Sequence, residues 1–374
     1  MSSAEWKAWD ALEHGPSPFL RAAFLQALTD SGSIGGQSGW IPVYFLVEEH
    51  SEQPPILLGG AAGFVKTDSY GEYIFDWAWA SAARRARIPY YPKLVFAAPV
   101  TPATGNRVLL APGANAELVT RGILAAAEKV ASAADCSSIH WLFCTRDESE
   151  RLGDLGFARR PTFQYHWQNR DYQTFDDFLA ALTSRKRKQI RKERRRALEA
   201  IDELLFIPGG ELDEETLDEL DGFYRDNVAA HGGFDYLRPG FFHAVVQNDP
   251  SLLLYARAIK NGAGVGGAIF FETESALYGR YWGCDEQIEF LHFEVAYYAG
   301  IQRCIERGTP LFEAGAQGTH KLLRGFEPNR TYSCHAIRHP DLDRAVRAFC
   351  EQEALTIAED MAHQAGFGPY KKGE

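Results

Sequence analysis

The chain has 374 residues, 45% of them hydrophobic and 24% charged, so it can bury full cores, and its length predicts two domains. A net charge of −11, from 39 Lys and Arg against 50 Asp and Glu, excludes a chain built overall to coat nucleic acid, although a local basic patch still fits. The six cysteines form no CxxC pair, and neither an apolar leader nor an apolar run of about 18 residues occurs, so a cytoplasmic protein with buried free thiols and no membrane span is expected.

In chain order, Pro18–Asp30 has helical spacing, and Gly32, Gly35, Gly36 and Gly39 then read as a connecting loop, since they lack the ordered spacing of a phosphate-binding loop. Strands are expected at Trp40–Val47, Ile56–Val65 and Tyr73–Trp79. The last carries Asp76 among aromatic neighbours, where a carboxylate needs a partner. Lys93 opens a buried strand, followed by Thr101, Thr104, Gly105, Asn106 and Arg107. A loop of hydroxyls, glycine and arginine ahead of a helix (Ala114–Ala134) is a candidate anion or cofactor site. A strand at Ser138–Cys144, a helix at Asp147–Leu155 and a strand at Thr162–Trp167 complete a first half.

Phe175–Ala200 reads as one amphipathic helix, and its Arg185–Arg196 part holds nine Lys or Arg and one Glu. Arg185, Lys186, Lys188, Arg191 and Lys192 make a candidate polyanion patch. The following Ala197–Asp221, with ten Asp or Glu and no Lys or Arg, offers the alternative of neutralising it. Further on come a strand at Leu204–Pro208, helices at Asp213–Ala230 and near Pro239–Gln247, and strands at Leu252–Ile259, Val265–Glu272 and Leu277–Gly283. A helix at Phe290–Arg307, a strand at Leu311–Ala314, a turn near Lys321, a strand at Thr331–Ile337 and a closing helix from Leu342 follow.

The closing order repeats that of the first half. In one ungapped register GFARRPTFQYH (Gly156–His166) lies over GFEPNRTYSCH (Gly325–His335), matching Gly, Phe, Thr, an aromatic and His. Two related α/β domains are therefore expected, residues 1–171 and residues 172–374, the second opening with the basic helix.

The motifs PFLRAAFLQAL, SGSIGG, GEYIFDWAWA, YYPKL, PVTPATGNR, TSRKRKQIRKERR, YGRYWGC, FLHFE and EAGAQGTHKLLRGF, in that order along nearly the whole chain, resemble the bacterial FemAB-like family of peptidoglycan biosynthesis or recognition N-acyltransferase-like proteins. That resemblance implies two tandem GNAT-like domains with mixed sheets flanked by helices. It also implies transfer of an acyl or aminoacyl group to an amine, with acyl-CoA or aminoacyl-tRNA as donor substrate, no permanently bound cofactor, and a peptidoglycan precursor or other small molecule as acceptor. Two alternatives stay open: a CoA-dependent N-acetyl- or acyltransferase acting on a small amine, and a non-catalytic protein that recognises a peptidoglycan precursor or nucleotide-linked ligand. Where GNAT enzymes keep a glycine-rich pyrophosphate loop, the second domain has CDEQIEFLH, whose Asp285, Glu286 and Glu289 would repel a pyrophosphate.

Amide formation needs a neutral amine, a proton acceptor and donors for the carbonyl oxygen. Glu313 is the first candidate base, at a strand's C-terminal end, followed by His292 and Glu294. Gln317, His320, Lys321 and Arg324, on one side of a helical turn, and Arg280 and Tyr281 are the candidate substrate-binding residues. Strand alternation allows only one of Arg280 and Tyr281 to face a given site. Tyr297, Tyr298 and Phe293 are expected in the core. His292-x-Glu294 is not a HExxH motif, so no metal is expected.

Overall fold

A computed structural model describes residues 1–50, 55–316 and 318–371. Among the described residues twelve strands occur: β1 (Trp40–Glu49), β2 (Ile56–Lys66), β3 (Lys93–Phe96), β4 (Leu109–Leu110), β5 (Ser138–Cys144), β6 (Ala158–Gln168), β7 (Glu203–Pro208), β8 (Leu253–Lys260), β9 (Ala263–Glu272), β10 (Ala276–Cys284), β11 (Leu311–Glu313) and β12 (Glu327–Ile337). The chain divides into two compact units, one of residues 1–163 and 330–359, the other of residues 164–329 and 360 onward. A single cut at Asp171 therefore does not describe them: β12 and most of the closing helix, Pro340–Ala365, return to the first unit. Both units are α/β with mixed sheets flanked by helices, as expected.

In the first unit the strand order is β1, β2, β3, β5, β12, β6, with β4 beside β2. All pairs with a defined register are antiparallel except β3 with β5. Alternation along β12 assigns its two faces. Cys334 joins a core with Phe96, Trp141 and the inner face of the helix Ala116–Ala133 (Val119, Ile123, Ala127). Ile337 joins the opposite core, with Trp79, Ala83, Leu342 and Val346 from the helices Trp77–Ala86 and Pro340–Ala365. The echoed sequences are the starts of β6 and β12, and Thr162 and Thr331 hydrogen-bond to one another through their hydroxyls at 2.7 Å.

Tyr73–Trp79 is not a strand. Tyr73 and Phe75 have φ of 58° and 56°, which turns the chain, and a helix then runs Trp77–Ala86 because SAARRA is a good helix former. Asp76 precedes that helix and is buried. Lys93 Nζ donates to Asp76 Oδ2 at 2.5 Å, Glu72 Oε2 at 2.7 Å and Ser69 Oγ at 2.8 Å, and the Tyr90 hydroxyl donates to Asp76 Oδ2 at 2.6 Å. Burial pushes the Asp76 carboxyl up, but the Lys93 charge and these hydrogen bonds outweigh it and hold Asp76 well below its ordinary value.

In the second unit the order is β6, β11, β10, β9, β8, β7, antiparallel throughout except β10 with β11. The helix Glu214–Ala230 packs onto β10 so closely that a Cβ at Gly283 would lie 2.0 Å from the Phe223 carbonyl oxygen, which only glycine permits. The expected helix Phe175–Ala200 is two helices, Phe175–Ala181 and Ser184–Glu199. Leu182 is extended and bridges Tyr370, while Thr183 N donates to Pro369 O and Lys371 N to Ala181 O, so the chain's last residues interrupt the helical ladder. Among the described residues no helix is long and apolar enough to cross a membrane, and the six cysteines are free thiols, all buried but Cys284.

Candidate active site

The second unit opens a cavity where two parallel strands part. β11 pairs with β10 only over Ala276–Tyr278, after which β10 continues to Cys284 without it. The cavity, about 110 Å³, is lined by Arg280, Tyr281, Trp282, His292, Tyr297 and Ala314 among others. Both Arg280 and Tyr281 line it, contrary to simple alternation. Against β9, Gly279 faces Phe270 and Tyr281 faces Ile269, so Arg280 is an extra residue, and that bulge brings two successive residues to one site.

Behind this wall stands a buried charge cluster. Glu313 closes β11, with Arg280 Nη2 3.6 Å from its Oε2 and His166 Nε2 3.9 Å from its Oε1. Asn329 Nδ2 donates to His166 Nδ1 at 2.7 Å, which leaves the His166 proton on Nε2, toward the carboxylate. Burial lowers the His166 imidazole, keeping it neutral. Lys321 is also buried, its Nζ donating to Gly315 O at 2.8 Å, and burial together with the Arg280 charge pushes its amine down to about 7. Neither His166 nor Asn329 belongs to a catalytic motif, although both lie in the echoed segments. The repeated GF…T…H pattern placed His166 on a strand, but only the pairing of β6 with β11 brings it to Glu313.

The remaining candidates separate. His292 lines the cavity beside Trp282, with ring centroids 5.2 Å apart, and burial with the nearby charges of His320, Arg324 and Lys321 lowers it to about 4. Glu294 instead starts a π-helical segment, Glu294–Tyr298, within what was expected to be one α-helix. It is fully buried, and Arg194 donates to both its oxygens at 2.8 to 3.1 Å. That carboxylate anchors the basic helix through Arg194, while burial pushes it up, and it is not among the residues lining the cavity. Thr319–Arg324 is a 3₁₀ turn, so its residues do not share the side an α-helix would give them. Arg324 binds Glu193 Oε2 at 3.1 Å and lies 3.3 Å over the Phe293 ring, His320 Nε2 meets the Tyr297 hydroxyl at 2.9 Å, and Gln317 lies outside the described residues. Tyr297 and Tyr298 are core residues as expected, although Tyr297 also reaches the cavity.

The anion-loop reading in the first unit is withdrawn, because both its cations are used internally. Lys93 is held by Glu72 and Asp76, and Arg107 donates to the carbonyls of Leu142, Ala103 and Phe143. Thr101 and Gly105 are buried, Thr104 and Asn106 half-buried, and Gly105 packs against Ser17, so the loop is a plug. Of the three acids expected to repel a pyrophosphate, Glu286 is paired with Lys260 and Glu289 with Arg196.

On the basic helix, Arg191 pairs with Asp176, Arg194 with Glu294, Arg195 with Glu199 and Arg196 with Glu289. Only Glu199 belongs to the acidic segment, whose Glu219 and Asp221 serve Arg257 and Arg225 instead. Arg185, Lys188 and Lys192, one helical face by their spacing, are exposed and have no acid partner among the described residues, while Lys186 is half-buried. Neutralisation by the acidic segment therefore fails. Among the described residues no group of three or more His, Cys, Asp or Glu could hold a metal ion.

The sequence matches the FemAB-like family, described as peptidoglycan biosynthesis/recognition, over residues 1–372. No curated protein matches it. In structure it is similar to FemX (12% identity, 93% of this chain and 98% of that one, TM-score 0.56), to L-PGS from Bacillus licheniformis (13%, 93% and 96%, TM-score 0.52), and to the C-terminal DUF2156 domain of a putative lysylphosphatidylglycerol synthetase from Agrobacterium fabrum (11%, 92% and 96%, TM-score 0.52). At such identities the likeness shows a shared fold.

Proposed function

Because this chain belongs to the FemAB-like family, we propose that it transfers an acyl or aminoacyl group from an activated donor to an amine of a cell-wall precursor. The observation that carries the reading is the cavity at the parting of β10 and β11, with Arg280 among its lining residues and the Arg280–Glu313 ion pair buried behind it. Attack of an amine on an ester or thioester puts negative charge on the carbonyl oxygen, and Arg280 is the cation placed to meet it. Glu313 pairs with that guanidinium at 3.6 Å, and His166, fixed by Asn329, lies 3.9 Å from Glu313, so these three position the reacting wall. His292, lowered to about 4 and so neutral at physiological pH, is the lining imidazole able to accept the amine's proton. Glu313, first choice from the sequence, becomes a positioning residue, since it is not among the lining residues and faces Arg280.

The test is a screen of acyl-CoAs and aminoacyl-tRNAs as donors against nucleotide-linked cell-wall precursors, followed by mass spectrometry of the acceptor. Amide formation that falls at least tenfold in His292→Ala is expected. No product with any donor would favour the non-catalytic alternative.

The free cations of the basic helix support aminoacyl-tRNA as the donor. Arg185→Glu, Lys188→Glu and Lys192→Glu together are expected to weaken tRNA binding at least tenfold and to flatten its log–log salt dependence by roughly 2 units. Filter binding at several salt concentrations checks this, and an unchanged slope would exclude the helix as the tRNA contact.

A further inference from the structure

Between Leu291–Phe293 and the α-helix Ala299–Arg307 the chain makes one π-helical turn, Glu294–Tyr298, in which Ala299 N donates to Glu294 O, five residues back. Nothing in EVAYY forbids an ordinary α-helix, since it holds neither proline nor glycine. Turns of this kind are rare and concentrate at functional sites. At roughly 3.6 residues per turn an α-helix would put residue 297 about 140° around from residue 292, on another face. The wider turn brings it back: the His292 and Tyr297 rings stand 5.2 Å apart, and both residues line the cavity together with Ala296.

Two successive residues of the basic helix Ser184–Glu199 hold the two ends of this turn. Arg194 takes the first residue, donating to both oxygens of Glu294 at 2.8 to 3.1 Å, and it also donates to Gln302 Oε1 at 2.8 Å. Glu193 takes the last, its Oε2 accepting from the Tyr298 hydroxyl, while Gln189 Nε2 fixes its other oxygen at 2.8 Å. A second line runs from Glu193 to the wall. Its Oε2 also accepts from Arg324 Nη2 at 3.1 Å, Arg324 Nη1 donates to His320 O at 2.9 Å, and His320 Nε2 meets the Tyr297 hydroxyl at 2.9 Å. Glu193, Glu294 and Tyr298 are buried, where an ion pair returns little net stability against apolar side chains of similar volume. Directional bonds at such a place fix register instead.

We propose that Glu193 and Arg194 are positioning residues for the cavity: by gripping Tyr298 and Glu294 they hold the turn in its π register, and that register seats Tyr297 beside His292 in the wall. The expected effect on turnover rests on the acyl-transfer reading above, and the expected effect on the two rings does not.

Two double variants of the full chain remove the grip at nearly constant bulk: Arg194→Met with Glu294→Met, and Glu193→Gln with Tyr298→Phe. Neither strands a buried carboxylate, so both are expected to melt close to the unaltered chain. Both are expected to lose the nuclear Overhauser contact between the His292 and Tyr297 rings, read in protein labelled at histidine and tyrosine and assigned with Tyr297→Phe. The first is expected to lower kcat at least tenfold with little change in KM. Arg194→Lys, which keeps a cation on Glu294, is expected to retain the ring contact and most of the rate. A ring contact intact in both double variants would overturn the proposal, and so would a collapse of the melting temperature in both, since the grip would then carry stability and not register. Loss of the contact with an unchanged kcat would overturn the positioning role. A chain inactive with every donor and acceptor would refute acyl transfer, and the ring contact would still decide the register.

Discussion

Lys93→Met is expected to destabilise the protein by about 3–5 kcal/mol, the usual cost of removing one partner from a buried ion pair and leaving the other charge uncompensated. Here two carboxylates are left behind, Glu72 and Asp76, both buried, and Lys93 is itself fully buried. The loss must depend on pH. Burial raises the Glu72 carboxyl from 4.5 to about 7, partly opposed by Lys93. A carboxyl whose folded value is raised contributes stability that is complete below about 4.5 and lost as pH rises through about 7, because the folded state holds the proton more tightly. Without Lys93 the opposing charge is gone, and both carboxyls protonate more readily in the folded state. The penalty of Lys93→Met is therefore expected to be larger at pH 8 than at pH 5, and to shrink when Glu72→Gln is added. Denaturant midpoints at the two pH values test this, and a penalty independent of pH would show that the Lys93 cluster is not ionised as described.

The second large effect concerns Arg280. If its guanidinium meets developing charge, Arg280→Lys is expected to lower kcat by about 10²–10³-fold with a small change in KM, the magnitude typical of losing one donor to an oxyanion. Lysine keeps a positive charge near Glu313, so folding is preserved better than with Arg280→Gln, which would strand a buried carboxylate. Steady-state kinetics alongside a melting curve separate the two effects. A normal kcat in a folded Arg280→Lys would remove Arg280 from the reaction. Glu313→Gln, by loosening the same guanidinium, is expected to lower kcat less than loss of the guanidinium itself.

Elements whose burial follows from local pattern were legible in the sequence. Ser138–Cys144 (SIHWLFC) is mostly apolar and forms β5 with those limits, and the short strand that ends at Glu313 lies where the glycine and polar residues beyond it force a turn. The failures have non-local causes. YIFDWAWA alternates like a strand, but Phe75 and Trp77 are exposed, Trp79 is buried in a core, and Asp76 serves a lysine 17 positions later. The break at Leu182 is imposed by Pro369 and Tyr370, which no window around residue 182 contains. The bulge at Arg280 is a property of pairing with β9, so alternation read from β10 alone wrongly allows only one of Arg280 and Tyr281 at a given site. Glu294 looked like a site residue because it lies beside His292, and its commitment to Arg194 spans 100 positions.

The strand β12 also constrains the order of events during synthesis. Its partner β5 ends at Cys144, yet β12 reaches only to Ile337 after every strand of the second unit has left the ribosome. The N-terminal unit, begun first, is thus completed only after every strand of the other unit has been made. Until then the β5 edge, with Trp141 and Cys144 beside it, waits without its neighbour, an interval in which a nascent chain is open to strand addition from elsewhere.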